Sequence, residues 1–161
     1  MSQTNANGAV SAVCRTLVHI CWALWFGGLM ALFIFVQVLF HQTPEDNFLI
    51  SAPKLFFAFE KYQLCLAGLV ILGAIVWRAV SATPRLLTVL LLFLIASVGA
   101  ILETALITPK IDAMRQAGQT HTPEFMRIHG LSMLVYMSME IVLMIAGIFL
   151  ATIRRAGDAR H

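Results

Sequence analysis

The sequence predicts an all-α protein, a bundle of four transmembrane helices, and three observations carry that prediction. Apolar residues make up 60% of the chain and charged residues 12%, with a mean hydropathy of +0.85, whereas a soluble domain carries roughly 45–50% and about 25%. The apolar residues fall into four runs, each long enough for the ~20 residues with which a helix crosses a bilayer. Pro44, Pro53, Pro84, Pro109 and Pro123 all fall at or just outside the ends of those runs, where a missing N–H costs least. Lipid offers the backbone no other hydrogen-bond partner, so the runs are read as helices. One integral-membrane domain over residues 1–161 is expected. The 11 basic and 8 acidic side chains are too few to cover a soluble globule, which excludes a soluble enzyme, a nucleic-acid module and a disordered tail. No basic stripe accompanies the net charge of +3, so nucleic acid is not a partner.

Residues 1–13 are polar and lack a basic leader. The first span, about 17–40, is longer than a signal-peptide core and is read as a retained helix. The second span covers about 55–77, the third about 86–108 and the fourth about 126–153. The third connection carries structure of its own. A short helix begins at Pro109 and stops at Gly118, and Thr122 caps the fourth span with Pro123 in its first turn. Basic residues in the short loops orient the whole. Arg15, Arg78, Arg85, Arg154, Arg155 and Arg160 share one side, while Lys54, Lys110, Arg115 and Arg127 share the other. The excess places both termini in the cytoplasm and the short helix on the outer surface. Three cysteines, Cys14, Cys21 and Cys65, show no paired spacing and read as reduced, buried thiols.

Ionisable residues inside the spans are the informative ones, because each costs about 2.5–3.5 kcal/mol at mid-bilayer. Glu60 lies 18 residues before Arg78, and Glu103 lies 18 residues after Arg85, so both sit ~27 Å from the inner face at 1.5 Å per residue. Glu140 lies about one turn lower, with His129 near the outer interface and His19 near the inner one. Glu60, Lys61, Glu103 and Glu140 thus form a polar cluster toward the outer leaflet. It reads either as a cation, metal or proton site, or as a hydrogen-bond network that fixes helix packing. Met126, His129, Met133, Met137, Glu140 and Met144 share one face of the fourth helix. Thioether with imidazole suits copper(I), and the competing reading is ordinary packing. His19 is a candidate axial ligand for a haem b. Gly27, Gly28, Gly68, Gly73, Ala146 and Gly147 mark close helix contacts, and Trp77 reads as an interfacial anchor.

The string TPKIDAM beginning at Thr108, the string FMRIHGLS beginning at Phe125, and more loosely LWFGGL beginning at Leu24 resemble the transmembrane protein 205-like family of small four-span membrane proteins. That family includes a bacterial domain of unknown function, so the resemblance implies a bacterial inner membrane. Its signature falls on Pro109, Lys110, Arg127, His129, Gly130 and Ser132. The resemblance implies no established reaction, although the eukaryotic member is associated with platinum-drug resistance. The chain departs from the family at Met133, where relatives often carry Asn, and at Phe59 to Tyr62, where bacterial relatives often carry a Leu-His pair. His19 with LWFGGL and His41 is also similar to the four-span haem-containing protoporphyrinogen oxidases. The expected function is a non-catalytic accessory or structural component of a larger membrane assembly, bound to other subunits or to itself. A soft-metal or proton-coupled carrier and a haem-binding oxidoreductase are the alternatives.

Overall fold

The computed structural model describes residues 2–42, 44–81 and 83–153. They form α1 (Ser2–Gln42), α2 (Glu45–Ser81), α3 (Arg85–Leu102), a π-helical turn (Glu103–Ile107), α4 (Thr108–Gln116) and α5 (Pro123–Ala151). The π turn joins α3 to α4 without a break, so the third rod runs over Arg85–Gln116. Four rods result, each long and apolar enough to cross a membrane. The chain is a small α-helical membrane protein.

The rods pack in the ring order α1, α2, α3, α5, with α1 and α3 on opposite corners. Short connections make sequential rods antiparallel. One end of the bundle therefore carries Arg78 and Arg85, and the other carries the hairpin between α4 and α5. Leu72, Leu106, Leu134 and Ile148 stand on the outside, each about 60% exposed. In water such a belt would drive aggregation; against acyl chains it is at rest.

Several expectations change. The polar N-terminus is helical, so α1 is 41 residues long, ~60 Å at 1.5 Å per residue. α2 starts before Pro53, which stands inside a helix and forgoes the bond to the carbonyl four residues back. Trp77 is 2% exposed and packs 6.0 Å from the His19 ring, so it is a core residue and not an interfacial anchor. Cys65 is exposed, while Cys21 is buried and Cys14 half-buried, all three free. Arg154, Arg155, Asp158 and Arg160, on which the charge count relied, lie outside the described residues.

The half of the bundle toward Arg78 is apolar and closely packed. Val18, Trp25, Val70, Phe93 and Leu143 are fully buried. Trp22 Nε1 donates to the Leu143 carbonyl at 2.7 Å, which holds its ring over Gly147. A Cβ on Gly147 would run into that ring, so the α1–α5 approach requires glycine. A Cβ on Gly99 would press on the flexible Met139 side chain, and one on Gly28 would only be tight against Phe59 and Tyr62, whereas Gly27 and Gly68 have nothing within 4 Å. At this end the Arg85 guanidinium donates to the Thr152 carbonyl at 3.0 Å, covering the C-terminus of α5 with positive charge.

The opposite end is closed by the hairpin. Gly118 takes φ +70°, and Gln119 N–H reaches back to the Met114 carbonyl at 2.9 Å while Gly118 N–H reaches Arg115, a glycine-terminated helix end. Thr122 Oγ1 accepts from Phe125 N–H at 3.3 Å, capping α5 behind Pro123. Lys110 and Glu124 tie α4 to α5 with an exposed ion pair of 3.0 Å.

Candidate functional site

The polar centre of the molecule is assembled from α2, the π turn, α4 and α5. Glu60 and Gln63 are three residues apart on α2, hence on one face, and both are buried, at 1% and 0% exposure. Glu103 opens the π turn and is fully buried. A π turn bonds i to i+5, and here Thr108 N–H bonds the Glu103 carbonyl. Residues five apart then lie nearly one above the other. In a regular α-helix they would point well away from each other. The π turn is thus what brings Glu103 and Thr108 to the same side.

Three hydroxyls meet the two acids. Thr108 Oγ1 donates to Glu60 Oε1. Tyr136 Oη reaches the same oxygen at 3.4 Å, and Ser132 Oγ donates to Glu103 Oε2 at 2.9 Å. Ser132 and Tyr136 are one turn apart on α5, so the pair addresses Glu103 and Glu60 from a single helix face. The Tyr136 ring is held by Phe33 of α1 at 6.5 Å and Phe56 of α2 at 5.9 Å. Glu103 Oε1 and both amide atoms of Gln63 are buried without a hydrogen-bond partner. Among the described residues neither Glu60 nor Glu103 forms an ion pair.

An interhelical hydrogen bond in a membrane contributes ~0.6 kcal/mol on average, so three contribute on the order of 2 kcal/mol. Two acidic side chains at mid-bilayer cost about 5 kcal/mol or more together. At that depth the three bonds offset part of the cost of burying the acids.

Directly beside it lies a cavity of about 410 Å³ whose lining includes Thr108, Ser132 and Tyr136. Its walls come from Phe33 and Phe40 of α1, Phe56 of α2 and Phe125 of α5. The other polar residues of the lining are Gln37 of α1, Asp112 and Arg115 of α4, which form an ion pair with each other, and His129 of α5. Pro53 also faces this space.

Of the residues singled out from the sequence, Glu60 and Glu103 come together through this hydroxyl set. Glu140 lies one turn beyond Tyr136, half-buried, with Oε1 lacking a partner. Lys61 points to the exposed side of α2, away from its neighbour Glu60. The methionine stripe does share one face, but the outward one: Met126, Met133, Met137 and Met144 are 60%, 45%, 53% and 48% exposed. The inward face of α5 runs instead through Ile128, Ser132, Tyr136, Met139 and Leu143. His129 stacks on Phe125 at 5.9 Å and 9°, and with Met133 it lines the cavity. His19 bonds the Arg15 carbonyl through Nδ1 at 2.7 Å, near the Arg78 end and apart from His129. Among the described residues no group of three or more His, Cys, Asp or Glu is placed to hold a metal ion.

Within the family signature, Lys110 pairs with Glu124 and Ser132 with Glu103. Pro109 enters α4 near its first residue, Arg127 is exposed, and a Cβ on Gly130 would meet nothing within 4 Å. Sequence reasoning passes over Gln63, Thr108 and Tyr136 as members of the polar centre. The signals available are Gln63 three residues after Glu60 and Tyr136 four residues after Ser132.

A family model described as a domain of unknown function, DUF4149, matches residues 20–120, which takes in Glu60, Glu103 and Thr108. No curated protein and no solved structure matches the chain.

Proposed function

We propose that this chain, which belongs to the DUF4149 family, is a non-catalytic accessory subunit of a larger membrane assembly. The observation that carries the reading is Lys61. It stands on the exposed side of α2 and, among the described residues, forms no ion pair. It lies seven residues from Lys54 and 17 from Arg78, ~10 Å and ~25 Å along the helix. An ionisable side chain inside a span ordinarily faces a bundle interior or a partner group. Toward lipid, Lys61 reaches water only by stretching its stem to the nearer interface. A neighbouring subunit that presents a carboxylate or a free helix carbonyl to this face of α2 supplies the missing partner. The exposed Leu69 and Leu72, two and three turns further along α2, give the apolar part of such a contact. Strings at Thr108 and Phe125 support membership of the transmembrane protein 205-like group. Arg15, Arg78 and Arg85 at one end support cytoplasmic termini, in a bacterial inner membrane.

Cys65, exposed one turn from Lys61, is a native handle for the test. In membranes from cells carrying Cys14→Ser, a bifunctional maleimide should join Cys65 to a second membrane protein in a discrete band. Lys61→Met should weaken that band several-fold. Recovery of uncrosslinked monomer alone would overturn the reading, and a band made only of this chain would replace it with self-association.

A further inference from the structure

The cavity beside the buried acids has walls and floor of different chemistry. Its volume of about 410 Å³ falls in the ~300–1,000 Å³ range of small-molecule sites. The walls are phenylalanine rings, among them Phe33, Phe56 and Phe125. The floor is the three hydroxyls of Thr108, Ser132 and Tyr136. Each hydroxyl has one proton to give, and each is directed to a carboxyl group behind it. What the floor turns toward the cavity is therefore oxygen lone pairs. Ser132 and Tyr136 are themselves buried, at 7% and 2% exposure, and behind them Glu103 Oε1 has no partner. Among the described residues no cation pairs with either acid. At the rim Arg115 is matched by Asp112, and the His129 ring lies against Phe125. The rim is balanced in charge and adds the neutral amide of the exposed Gln37, while the floor turns acceptors to the cavity with the two acids behind them.

We propose that this cavity binds an amphiphilic organic cation, with a protonated amine on the hydroxyl floor and an aromatic or alkyl body between the phenylalanines. An ammonium brings donors where the floor has acceptors, and charge of the sign that the two acids lack. The aromatic faces around Tyr136 favour a cation as well. An anionic head would meet two acids, and a neutral chain would use the walls and leave the floor unpaired.

The test uses three probes with one body and different heads: phenylbutylammonium, phenylbutanol and phenylbutyrate. Each is titrated by calorimetry into the full-length protein in lipid nanodiscs, with empty nanodiscs subtracted. The ammonium should bind saturably and at least ~10-fold tighter than the alcohol, and the carboxylate should not bind. The double substitution Glu60→Gln with Glu103→Gln should reduce the preference for the ammonium to less than ~3-fold. Val36→Phe, which fills the cavity from α1 and leaves both acids in place, should abolish ammonium binding and so keeps the test decisive if the double variant misfolds. Equal binding of alcohol and ammonium overturns the proposal in favour of a neutral amphiphile. Binding of phenylbutyrate overturns it in favour of an anion held at Arg115 and His129. Absence of saturable binding by all three overturns it outright.

Discussion

The two halves of this bundle are built on opposite terms. Toward Arg78 and Arg85 the interior is apolar and interlocked: Val18, Val70, Phe93 and Leu143 are sealed, and Trp22 is bonded to Leu143 and seated on Gly147. Toward the hairpin the interior holds Glu60, Glu103 and Gln63, a proline inside α2, a π turn in the third rod and a cavity of about 410 Å³. Each of these gives up packing or backbone hydrogen bonding. The difference teaches that stability and chemistry are separated along the bundle axis. The first half holds the four rods together, so that the second is free to keep buried acids and open space.

The largest effect expected from that division concerns two phenylalanines. Phe93 is fully buried in α3, whereas Phe56 is half-buried and lines the cavity. Phe93→Ala should destabilise by about 3 kcal/mol, the low end of the usual range, because an unfolded helix in the bilayer still keeps the ring in hydrocarbon. Phe56→Ala should cost less than about half of that, since it enlarges a space that already exists. Reversible unfolding in mixed micelles measures both. Equal losses would remove the distinction between the halves.

A smaller effect, of opposite sign, follows from the buried acids. Glu103→Met replaces a carboxyl group that has one satisfied oxygen and one orphan with an apolar chain of similar length. A buried acid without an ion pair carries a desolvation cost of about 2.5–3.5 kcal/mol at mid-bilayer, which exceeds the one bond from Ser132 that the substitution removes. The expected gain is about 1 kcal/mol, accompanied by a reduced preference for the ammonium over the alcohol. A loss of stability instead would make Glu103 a structural residue and would merge the two halves into one.

How far this division is legible in the sequence depends on the kind of information involved. The rods are legible because length and hydropathy alone decide them in lipid. Equal depth of Glu60 and Glu103 follows from counting 18 residues from Arg78 and from Arg85. Facing is not legible. In a soluble helix the polar side marks the outside, but here lipid lets Leu134 and Met137 stand outside while Ser132 and Tyr136 turn in. The methionine spacing therefore defines one face, with nothing to say that the face is outward. The π turn is equally hidden, because the stretch Glu103–Ile107 carries no proline or glycine to mark a change of helix type. That single turn decides whether Thr108 meets the acids. Trp77 differs from its expected place for a related reason: its position near Arg78 suggests an interface, and its packing on His19 depends on rotation about the helix axis.

The smallest effect tests the hairpin that closes the open half. Lys110 and Glu124 are 55% and 60% exposed at the side chain, with 3.0 Å between charged atoms. An exposed pair of this kind contributes at most about 0.5–1 kcal/mol, less in salt. Lys110→Met should accordingly lower stability by no more than about 0.5 kcal/mol, and by less at high ionic strength. The hairpin keeps its form without that pair, because Gly118 ends α4 through backbone bonds and the Thr122 hydroxyl caps α5 at the Phe125 N–H, and neither involves Lys110. Ammonium binding should stay within ~2-fold of the unsubstituted protein, since Lys110 is not among the residues that line the cavity. A larger loss of binding than of stability would mean that the hairpin holds the cavity in shape. The open half would then be one cooperative structure reaching from Glu60 to the surface, and not a polar floor with a separately built rim.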